Sequence, residues 1–222
     1  MLTFGRIARW REAHSPELSW LSVGEQARLA GFGSPARREQ FVAGRWLMRE
    51  LLARIQGGEP VDQLVDLDDA GRSCLPRGYA NLSHSGEWLV VVHADSPVGI
   101  DLERLRPRRD LPGLARMVCS TAQCESLTEL DGDARLYQFY RWWTLKEAWL
   151  KARGRGLDMA LMRELTFKPC APEEADACST LLPQAGLALA ISTEPIQRAS
   201  LPSELAGELL TWRFFRSELL RL

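Results

Sequence analysis

Hydrophobic residues follow two different spacings along this chain, which predicts a structure with both helices and strands. Apolar residues that recur every three or four positions are typical of helices, and short apolar or alternating runs between turn residues are typical of strands. The predicted helices are 24–32, 35–56, 111–130 and 134–153. The predicted strands are 61–67, 79–82, 88–94, 98–103, 165–168 and 187–192. About the last twenty residues have no clear period, so the pattern makes no prediction there.

Two of the predicted helices have similar sequences. The segment WLMRELLAR (46–54) aligns with WTLKEAWLK (143–151) at a constant offset of 97, which is 143 minus 46. The alignment pairs the leading tryptophans, the central glutamates and the final cations. An internal repeat would explain the match, and so would two amphipathic helices with the same packing requirement. The first explanation predicts a chain of two similar halves.

Composition limits the class of protein without choosing the function. A chain of 222 residues with 45% hydrophobic content is long enough to bury a sizeable core. A net charge of -1 and a pI near 6.3 give no reason to expect nucleic-acid binding. The sequence has neither a signal-peptide pattern nor an apolar run long enough to span a membrane, which predicts a cytoplasmic protein. Five cysteines without CxxC spacing favour neither a disulfide framework nor a zinc site.

Acidic residues in two short segments are the strongest candidates for chemistry. In GIDLE (99–103), Asp101 and Glu103 alternate with apolar residues, so both carboxylates leave one face of a strand. In WWTLKEAWLK (142–151), Glu147 and Lys151 are four residues apart and share one face of a helix. If these side chains converge, they suit a hard divalent cation such as Mg²⁺ that holds a substrate phosphate.

Lysine is rare in this chain. Only Lys146, Lys151 and Lys168 are lysines among 28 basic residues, and two of them lie in the WWTLKEAWLK segment. Arginine is always charged, whereas lysine is a compact charge that can give up a proton. We therefore favour a chemical role for Lys151 over a solvated helix charge.

The three ordered segments NLSHSG (81–86), GIDLE and WWTLKEAWLK resemble the signature of the 4′-phosphopantetheinyl transferases. The similarity is to the larger, surfactin-synthetase-activating type, which activates peptide and polyketide synthases, and it extends from about residue 37 to 167. This resemblance implies an α/β (α+β) fold of two similar lobes with pseudo-twofold symmetry, each a small sheet packed against a long helix. The active site is then expected in the cleft between the lobes. The expected lobes are 1–97, for coenzyme A anion binding, and 98–222, for metal and catalysis.

The resemblance also implies the reaction. A monomeric enzyme would transfer the 4′-phosphopantetheine moiety of coenzyme A to a serine hydroxyl of an apo acyl or peptidyl carrier protein, with Mg²⁺, and release 3′,5′-ADP. Asp101, Glu103 and Glu147 would hold the metal. Glu147 would act as general base, with metal ligation as its competing role, and Lys151 would stabilise or protonate the leaving group.

Coenzyme A binding is assigned on the same resemblance. Arg45 matches an arginine that binds the 3′-phosphate, and Arg45, Arg49 and Arg54 together predict a cationic helix surface. Arg72 stands where the family has the lysine of a Gly-Lys-Pro triplet, and this chain has Gly-Arg-Ser instead. The full expected set is Arg37, Arg38, Arg45, Arg72, Ser83, His84 and Lys151.

Other functions are compatible with parts of this pattern. A Mg²⁺-dependent nucleotide or coenzyme A pyrophosphohydrolase could use similar carboxylates and would need no acceptor protein. A non-catalytic carrier-protein-binding module would keep the arginines without needing Glu147 and Lys151. The segment 104–109 (RLRPRR) fits an acidic carrier surface or, equally, a solvated loop.

Overall fold

The computed structural model describes residues 1–13, 18–69, 71–194, 196 and 201–220. The chain divides into two compact units, Met1–Val98 and Gly99–Leu222. Each unit contains a β-sheet and one long helix packed against it, so the fold belongs to the mixed α and β class that the sequence predicts. Within the described ranges, no helix combines the length and the apolar character needed to cross a membrane.

The N-terminal unit contains a three-stranded antiparallel sheet, a long helix and a two-stranded hairpin. Its elements in chain order are β1 (Leu2–Arg6), α1 (Ile7–Ala13), α2 (Val23–Ala30), α3 (Pro35–Gln56), β2 (Asp66–Leu67), β3 (Ser73–Cys74), β4 (Tyr79–Ser85) and β5 (Trp88–Ala94). The sheet order is β1-β5-β4, and β2 pairs with β3. Helix α3 packs against β5, and its fully buried residues Met48 and Leu51 contribute to the core of this unit.

Helix α3 has the bounds that the sequence predicts. Pro35 at its start has no amide N–H that would be left without a partner. Gly57 ends it with a φ of +82°, a conformation that glycine adopts without strain.

The predicted strand at 61–67 is wrong over most of its length. Pro60–Asp62 form a 3₁₀ turn, and only Asp66–Leu67 are in a strand. The apolar residues that suggested the strand have different environments, since Val61 and Leu64 are exposed and Val65 is buried. Strand β1 was not predicted, because its edge position depends on pairing with β5, which is distant in sequence.

The C-terminal unit contains a five-stranded sheet with helix α6 packed on its central strands. Its elements are β6 (Val98–Arg104), which begins one residue before the unit, α4 (Leu111–Val118), α5 (Thr121–Thr128), α6 (Gly132–Ala152), α7 (Met159–Glu164), β7 (Leu165–Pro169), β8 (Ala177–Leu182), β9 (Leu187–Thr193), β10 (Glu204–Leu205), β11 (Glu208–Leu209) and β12 (Arg213–Leu219). The sheet order is β6-β9-β8-β12-β7, and β10 and β11 form a separate hairpin.

The single helix predicted over 111–130 is two helices. Helix α4 ends at Val118, and Ser120 begins α5 with a capping box. The Ser120 hydroxyl accepts the Gln123 backbone N–H at 3.2 Å, and the Gln123 side chain accepts the Ser120 N–H at 3.1 Å. These reciprocal bonds stabilise a new helix start inside a continuous apolar pattern.

Helix α6 approaches strand β6 very closely at Gly99. A Cβ atom built on Gly99 would lie 2.1 Å from the Ala148 carbonyl oxygen and 2.4 Å from the Ala152 backbone nitrogen. No real Cβ tolerates such distances, so only glycine permits this approach of two backbones. The approach places the last turns of α6, including Lys151, directly beside β6.

We expect Gly99→Ala to separate α6 from β6 and to reduce the free energy of unfolding by about 1–3 kcal/mol or more, as overpacking does. Urea unfolding followed by circular dichroism measures the change. Gly33→Ala is the matched control, because a Cβ at Gly33 meets nothing within 4 Å. Equal stabilities of the two variants would contradict the close-approach argument.

Candidate active site

Strand β6 carries the two acidic residues of the GIDLE segment. Its apolar residues Ile100 and Leu102 are fully buried, as the alternation predicts. Asp101 is also buried, with 5% exposure, and Glu103 is half-buried. A carboxylate with so little access to water needs hydrogen bonds or a positive charge close by.

Lys151 provides that positive charge. Its Nζ donates to Asp101 Oδ1 at 2.7 Å and to the Ile100 carbonyl oxygen at 3.1 Å. The bond to the backbone fixes the ammonium group on the strand as well as on the carboxylate. The Lys151 side chain keeps 26% exposure, so the ion pair can be reached by a solute.

Glu147 lies one helical turn before Lys151, on the same face of α6. Burial raises its pKa to about 7, and the negative charges of Asp101 and then Glu103 act in the same direction, whereas the Lys151 charge opposes them. The structure therefore brings the three predicted carboxylates and the predicted lysine into one electrostatic neighbourhood. A carboxyl group with a pKa near 7 can both accept and release a proton at neutral pH.

The oxygen donors at this site are of the kind that Mg²⁺ binds. Within the described part of the chain, no group of three or more His, Cys, Asp or Glu side chains is arranged to hold a metal ion. In this arrangement Asp101 Oδ1 faces the Lys151 ammonium. A divalent cation next to these carboxylates would stabilise their ionised forms.

The predicted cationic surface of α3 is wrong for two of its three arginines. Arg45 and Arg49 are buried, with 5% and 1% exposure, and both bind Glu25 of α2. Glu25 has no exposed surface and accepts hydrogen bonds from Arg45 Nε at 2.5 Å and from Arg49 Nη2 at 2.7 Å. The arginines neutralise a buried carboxylate, because an unpaired charge there would be very unfavourable. The sequence signal for Glu25 was the capping box SVGE at the start of α2.

Arg45 nevertheless keeps an unused donor. Its Nη1 donates to Ser73 Oγ at 2.9 Å, and among the described residues its buried Nη2 has no hydrogen-bond partner. Burial is the main reason that the Arg45 pKa is lowered. A buried guanidinium N–H without an acceptor is unfavourable, and an anionic oxygen would satisfy it.

Arg72 lies on an exposed turn in the same unit, next to Ser73. Its Nε donates to Asp68 Oδ2 at 2.6 Å, and Gly71 before it has a φ of +77°. The Arg28 guanidinium lies against Gly71, since a Cβ built there would be 3.0 Å from Arg28 Cζ.

The remaining predicted coenzyme A residues lie at two places in the N-terminal unit. Ser83 and His84 are successive residues of β4, and Ser83 is buried whereas His84 is exposed. Arg37 and Arg38 are exposed in the first turn of α3, where Arg38 Nη1 donates to the Leu29 carbonyl at 2.8 Å.

Lys146 has a role that the sequence did not reveal. It is fully buried, and its Nζ donates to the Val118 carbonyl at 2.8 Å, to Gln123 Oε1 at 2.7 Å and to the Met162 carbonyl at 2.6 Å. Burial lowers its pKa to about 8. Lys146 therefore connects α6 to α4, α5 and α7, and the rarity of lysine was the only sign of this role.

Part of the arginine-rich segment 104–109 is bound to α6, although its arginines are exposed. Arg108 Nε donates to the hydroxyl of buried Tyr140 at 3.0 Å, and this hydroxyl donates to the Arg106 carbonyl at 3.2 Å. The segment is therefore attached to α6 through one side chain.

A half-buried glutamate with a pKa near 7, a lysine paired with an aspartate and a third carboxylate form the kind of site that phosphoryl transfer uses. Comparison with known proteins agrees. Residues 97–199 match the family model of the 4′-phosphopantetheinyl transferase superfamily. The chain is 36% identical over 159 residues to the 4′-phosphopantetheinyl transferase HetI of Nostoc sp. (strain PCC 7120), which covers 68% of this chain and 67% of HetI.

Two further similarities were found. The 4′-phosphopantetheinyl transferase Sfp of Bacillus subtilis is 29% identical over 156 residues, which cover 64% of this chain and 69% of Sfp. Among solved structures, a holo-(acyl-carrier-protein) synthase from Bacillus anthracis in complex with CoA (3′,5′-ADP) covers 43% of this chain and 91% of its own, with 18% identity and a TM-score of 0.36. On the match to HetI, this chain belongs to the 4′-phosphopantetheinyl transferase superfamily and is of the larger, Sfp-like type.

We expect Glu147→Gln to raise the melting temperature, and to raise it more at pH 8 than at pH 5. The pKa of Glu147 is raised from 4.5 to about 7, so the folded state resists ionisation between these values and the charged carboxylate destabilises it above pH 7. Glutamine removes that cost, and the difference in melting temperature from the unsubstituted protein should vanish as the pH approaches 4.5. Thermal unfolding in metal-free buffer measures the melting temperatures of both proteins at pH 5 and pH 8.

The control for this experiment is Glu129→Gln, which changes an exposed glutamate at the end of α5. It should give the same small change at both pH values. A pH-independent effect of Glu147→Gln would show that the carboxylate is not destabilised by its surroundings.

Proposed function

We propose that this chain transfers the 4′-phosphopantetheine moiety of coenzyme A to a serine hydroxyl of an apo acyl or peptidyl carrier protein, with Mg²⁺ as cofactor, and releases 3′,5′-ADP. The observation that carries the proposal is the Lys151–Asp101 ion pair beside Glu147, in a chain of this superfamily. An ammonium and a carboxyl of raised pKa on one helix face are the groups that such a transfer needs.

The bonds change as follows. The serine Oγ attacks the phosphorus atom that carries the pantetheine arm, and a new P–O bond forms to the serine. The P–O bond of the pyrophosphate breaks on the other side of that phosphorus, and 3′,5′-ADP leaves. Glu147 accepts the serine proton, which its pKa of about 7 permits at neutral pH. Lys151 lies one turn away and stabilises the negative charge that develops on the leaving phosphate.

Asp101 and Glu103 would hold Mg²⁺, and Glu147 would be the third ligand if metal ligation, rather than proton transfer, is its role. The ion would neutralise charge on the pyrophosphate oxygens when bound. The proximity of these carboxylates supports the assignment, since the pKa of Glu147 is raised by burial first and also by the charges of Asp101 and Glu103. Lys151 is bonded to Asp101, so its ammonium would lie close to a phosphate bound at this carboxylate.

The N-terminal unit would bind the anionic groups of coenzyme A. Arg45 supports this role through its buried Nη2, which an oxygen of the 3′-phosphate would satisfy. Ser73 accepts a bond from Arg45 and adjoins Arg72, so the two arginines are linked through one serine. Further contacts are proposed for Arg37, Arg38, Ser83 and His84.

Mass spectrometry of an apo carrier protein incubated with coenzyme A, Mg²⁺ and this protein tests the function. We expect the carrier to gain the mass of one phosphopantetheine, and Lys151→Ala and Glu147→Gln to lower the rate by about 10²–10³-fold. Lys168→Ala is the matched control, because Lys168 is an exposed lysine paired with Glu218 and should keep full activity. Release of 3′,5′-ADP without a modified carrier would indicate a pyrophosphohydrolase, and binding of carrier without either product would indicate a non-catalytic module.

Binding of Mg²⁺ is tested without a reaction. We expect MgCl₂ to stabilise the protein, by about 2–3 kcal/mol at a hundredfold excess over Kd, because the ion binds the folded state only. Asp101→Asn should abolish most of the stabilisation, whereas Asp131→Asn, at an exposed carboxylate before α6, should keep it. Thermal unfolding with and without Mg²⁺ measures the effect, and an equal response of both variants would place the metal elsewhere.

A further inference from the structure

We infer that Trp149, Ser217, Asp176 and Arg153 form a positioning network that fixes the rotation of helix α6 and thereby holds Glu147 and Lys151 in place. The inference rests on the proposed function for its effect on catalysis. None of these four residues was singled out for chemistry by the sequence, and none contacts the Asp101–Lys151 ion pair through a described bond.

The network lies on the opposite side of α6 from the candidate active site. Successive residues of a helix are rotated by about 100°, so Glu147 and Lys151 are only about 40° apart around the axis. Trp149 is about 160° from each of them, and Arg153 lies four residues after Trp149 on that same side. Groups that bind Trp149 and Arg153 therefore hold the helix from behind the site.

A directional chain of hydrogen bonds connects Trp149 to the sheet. Trp149 Nε1 donates to Ser217 Oγ at 3.0 Å, and Ser217 Oγ donates to Asp176 Oδ2. The Ser217 backbone N–H also donates to Asp176 Oδ1 at 2.8 Å. An indole nitrogen only donates and an ionised carboxylate only accepts, so the Ser217 hydroxyl proton must point to Asp176. This series of hydrogen bonds therefore has a single donor-to-acceptor direction.

Arg153 completes the network. Its guanidinium lies over the Trp149 ring at 3.9 Å, and Nη2 is 3.9 Å from Asp176 Oδ2. Its Nη1 also donates to the Trp149 carbonyl at 3.4 Å. Trp149 and Asp176 have 7% and 5% exposure, so the bonds that join them through Ser217 are shielded from water. The Arg153 side chain keeps 35% exposure and covers this series of bonds from the solvent side.

Asp176 is itself attached to the sheet through its backbone. Its N–H donates to the Phe215 carbonyl at 3.1 Å, and its carbonyl accepts bonds from Ser192 Oγ at 3.0 Å and from the Thr193 N–H at 3.1 Å. It directly precedes β8 and is bound to β9 and β12. The network therefore fixes α6 to a rigid part of the sheet.

Small rotations of α6 matter because the functional side chains are long. A rotation of about 15° moves a side-chain tip about 7 Å from the helix axis by roughly 2 Å. Such a shift would break the 2.7 Å contact between Lys151 and Asp101. Gly99 lets the backbones of α6 and β6 meet, and the Trp149 network would decide which face of α6 meets β6.

The first test compares kinetics. Ser217→Ala removes the central hydroxyl with almost no change of volume, and Trp149→Phe removes the indole donor together with one ring. We expect kcat to fall about 5- to 20-fold in each variant, with KM for coenzyme A and carrier changed less than about twofold, since misplacement affects the reacting geometry. Ser217→Thr keeps the hydroxyl and should restore kcat to within about twofold. Trp143→Phe makes the same substitution on the same helix, where the ring packs on Phe139, and should leave kcat unchanged.

A double-mutant cycle separates positioning from general stability. If the network acts through Glu147 and Lys151, Ser217→Ala should cost little further activity in a Glu147→Gln/Lys151→Ala background. Additive losses would overturn the inference, and so would a Ser217→Ala protein with a lower melting temperature but unchanged kcat.

A second readout needs no activity. The chain has three lysines, of which Lys146 is buried and Lys168 is exposed. Competitive acetylation with peptide mapping therefore measures the reactivity of Lys151 relative to that of Lys168. We expect Ser217→Ala to raise the Lys151 to Lys168 labelling ratio about threefold or more, and Trp143→Phe to leave it unchanged. An unchanged ratio in Ser217→Ala would overturn the inference. A raised ratio in a chain that does not transfer phosphopantetheine would support the network while rejecting the proposed function.

Discussion

The close approach of α6 to β6 at Gly99 is the constraint on which the candidate active site depends. A side chain at position 99 would collide with the backbone of α6, and the separation needed to relieve the collision would move Lys151 away from Asp101, which it contacts at 2.7 Å. The glycine of GIDLE and the acidic residues of the same segment therefore act together. Glycine sets the distance between strand and helix, and that distance lets a lysine on the helix reach an aspartate on the strand.

The two units differ in how their buried carboxylates are paired with positive charges. In the N-terminal unit, Glu25 is bound by both Arg45 and Arg49, so one carboxylate is compensated by two guanidinium groups. In the C-terminal unit, three carboxylates share one ammonium, and the pKa of Glu147 is raised to about 7 as a result of burial and repulsion. The first arrangement is typical of a structural ion cluster. The second disfavours the ionised form of Glu147, which is unfavourable for stability and useful for binding a proton or a cation.

Local sequence patterns predicted the helices and the strand that carry the site. The strands and buried residues that were not predicted depend on partners far away in the sequence. The period of α3 and α6 and the alternation in β6 follow from residues close in sequence, so the face shared by Glu147 and Lys151 could be read directly. Strands β1 and β12 gain their stability from partners far along the chain. The burial of Arg45 could not be predicted from its own helix, because it depends on Glu25, which is 20 residues earlier. The break between α4 and α5 depends on one serine whose capping bonds outweigh a continuous apolar pattern.

The contacts of α6 explain why residues with different roles follow one another in the WWTLKEAWLK segment. Lys146 binds α4, α5 and α7, Glu147 and Lys151 face β6, and Trp149 is bound through Ser217 to β12. Successive residues of one helix thus point in different directions and each is held by a different neighbour, so neither rotation nor sliding of α6 is possible without breaking several bonds. A helix held by several neighbours can present Glu147 and Lys151 in a constant geometry, because the residues between them supply the bonds that fix its rotation and its position along the axis.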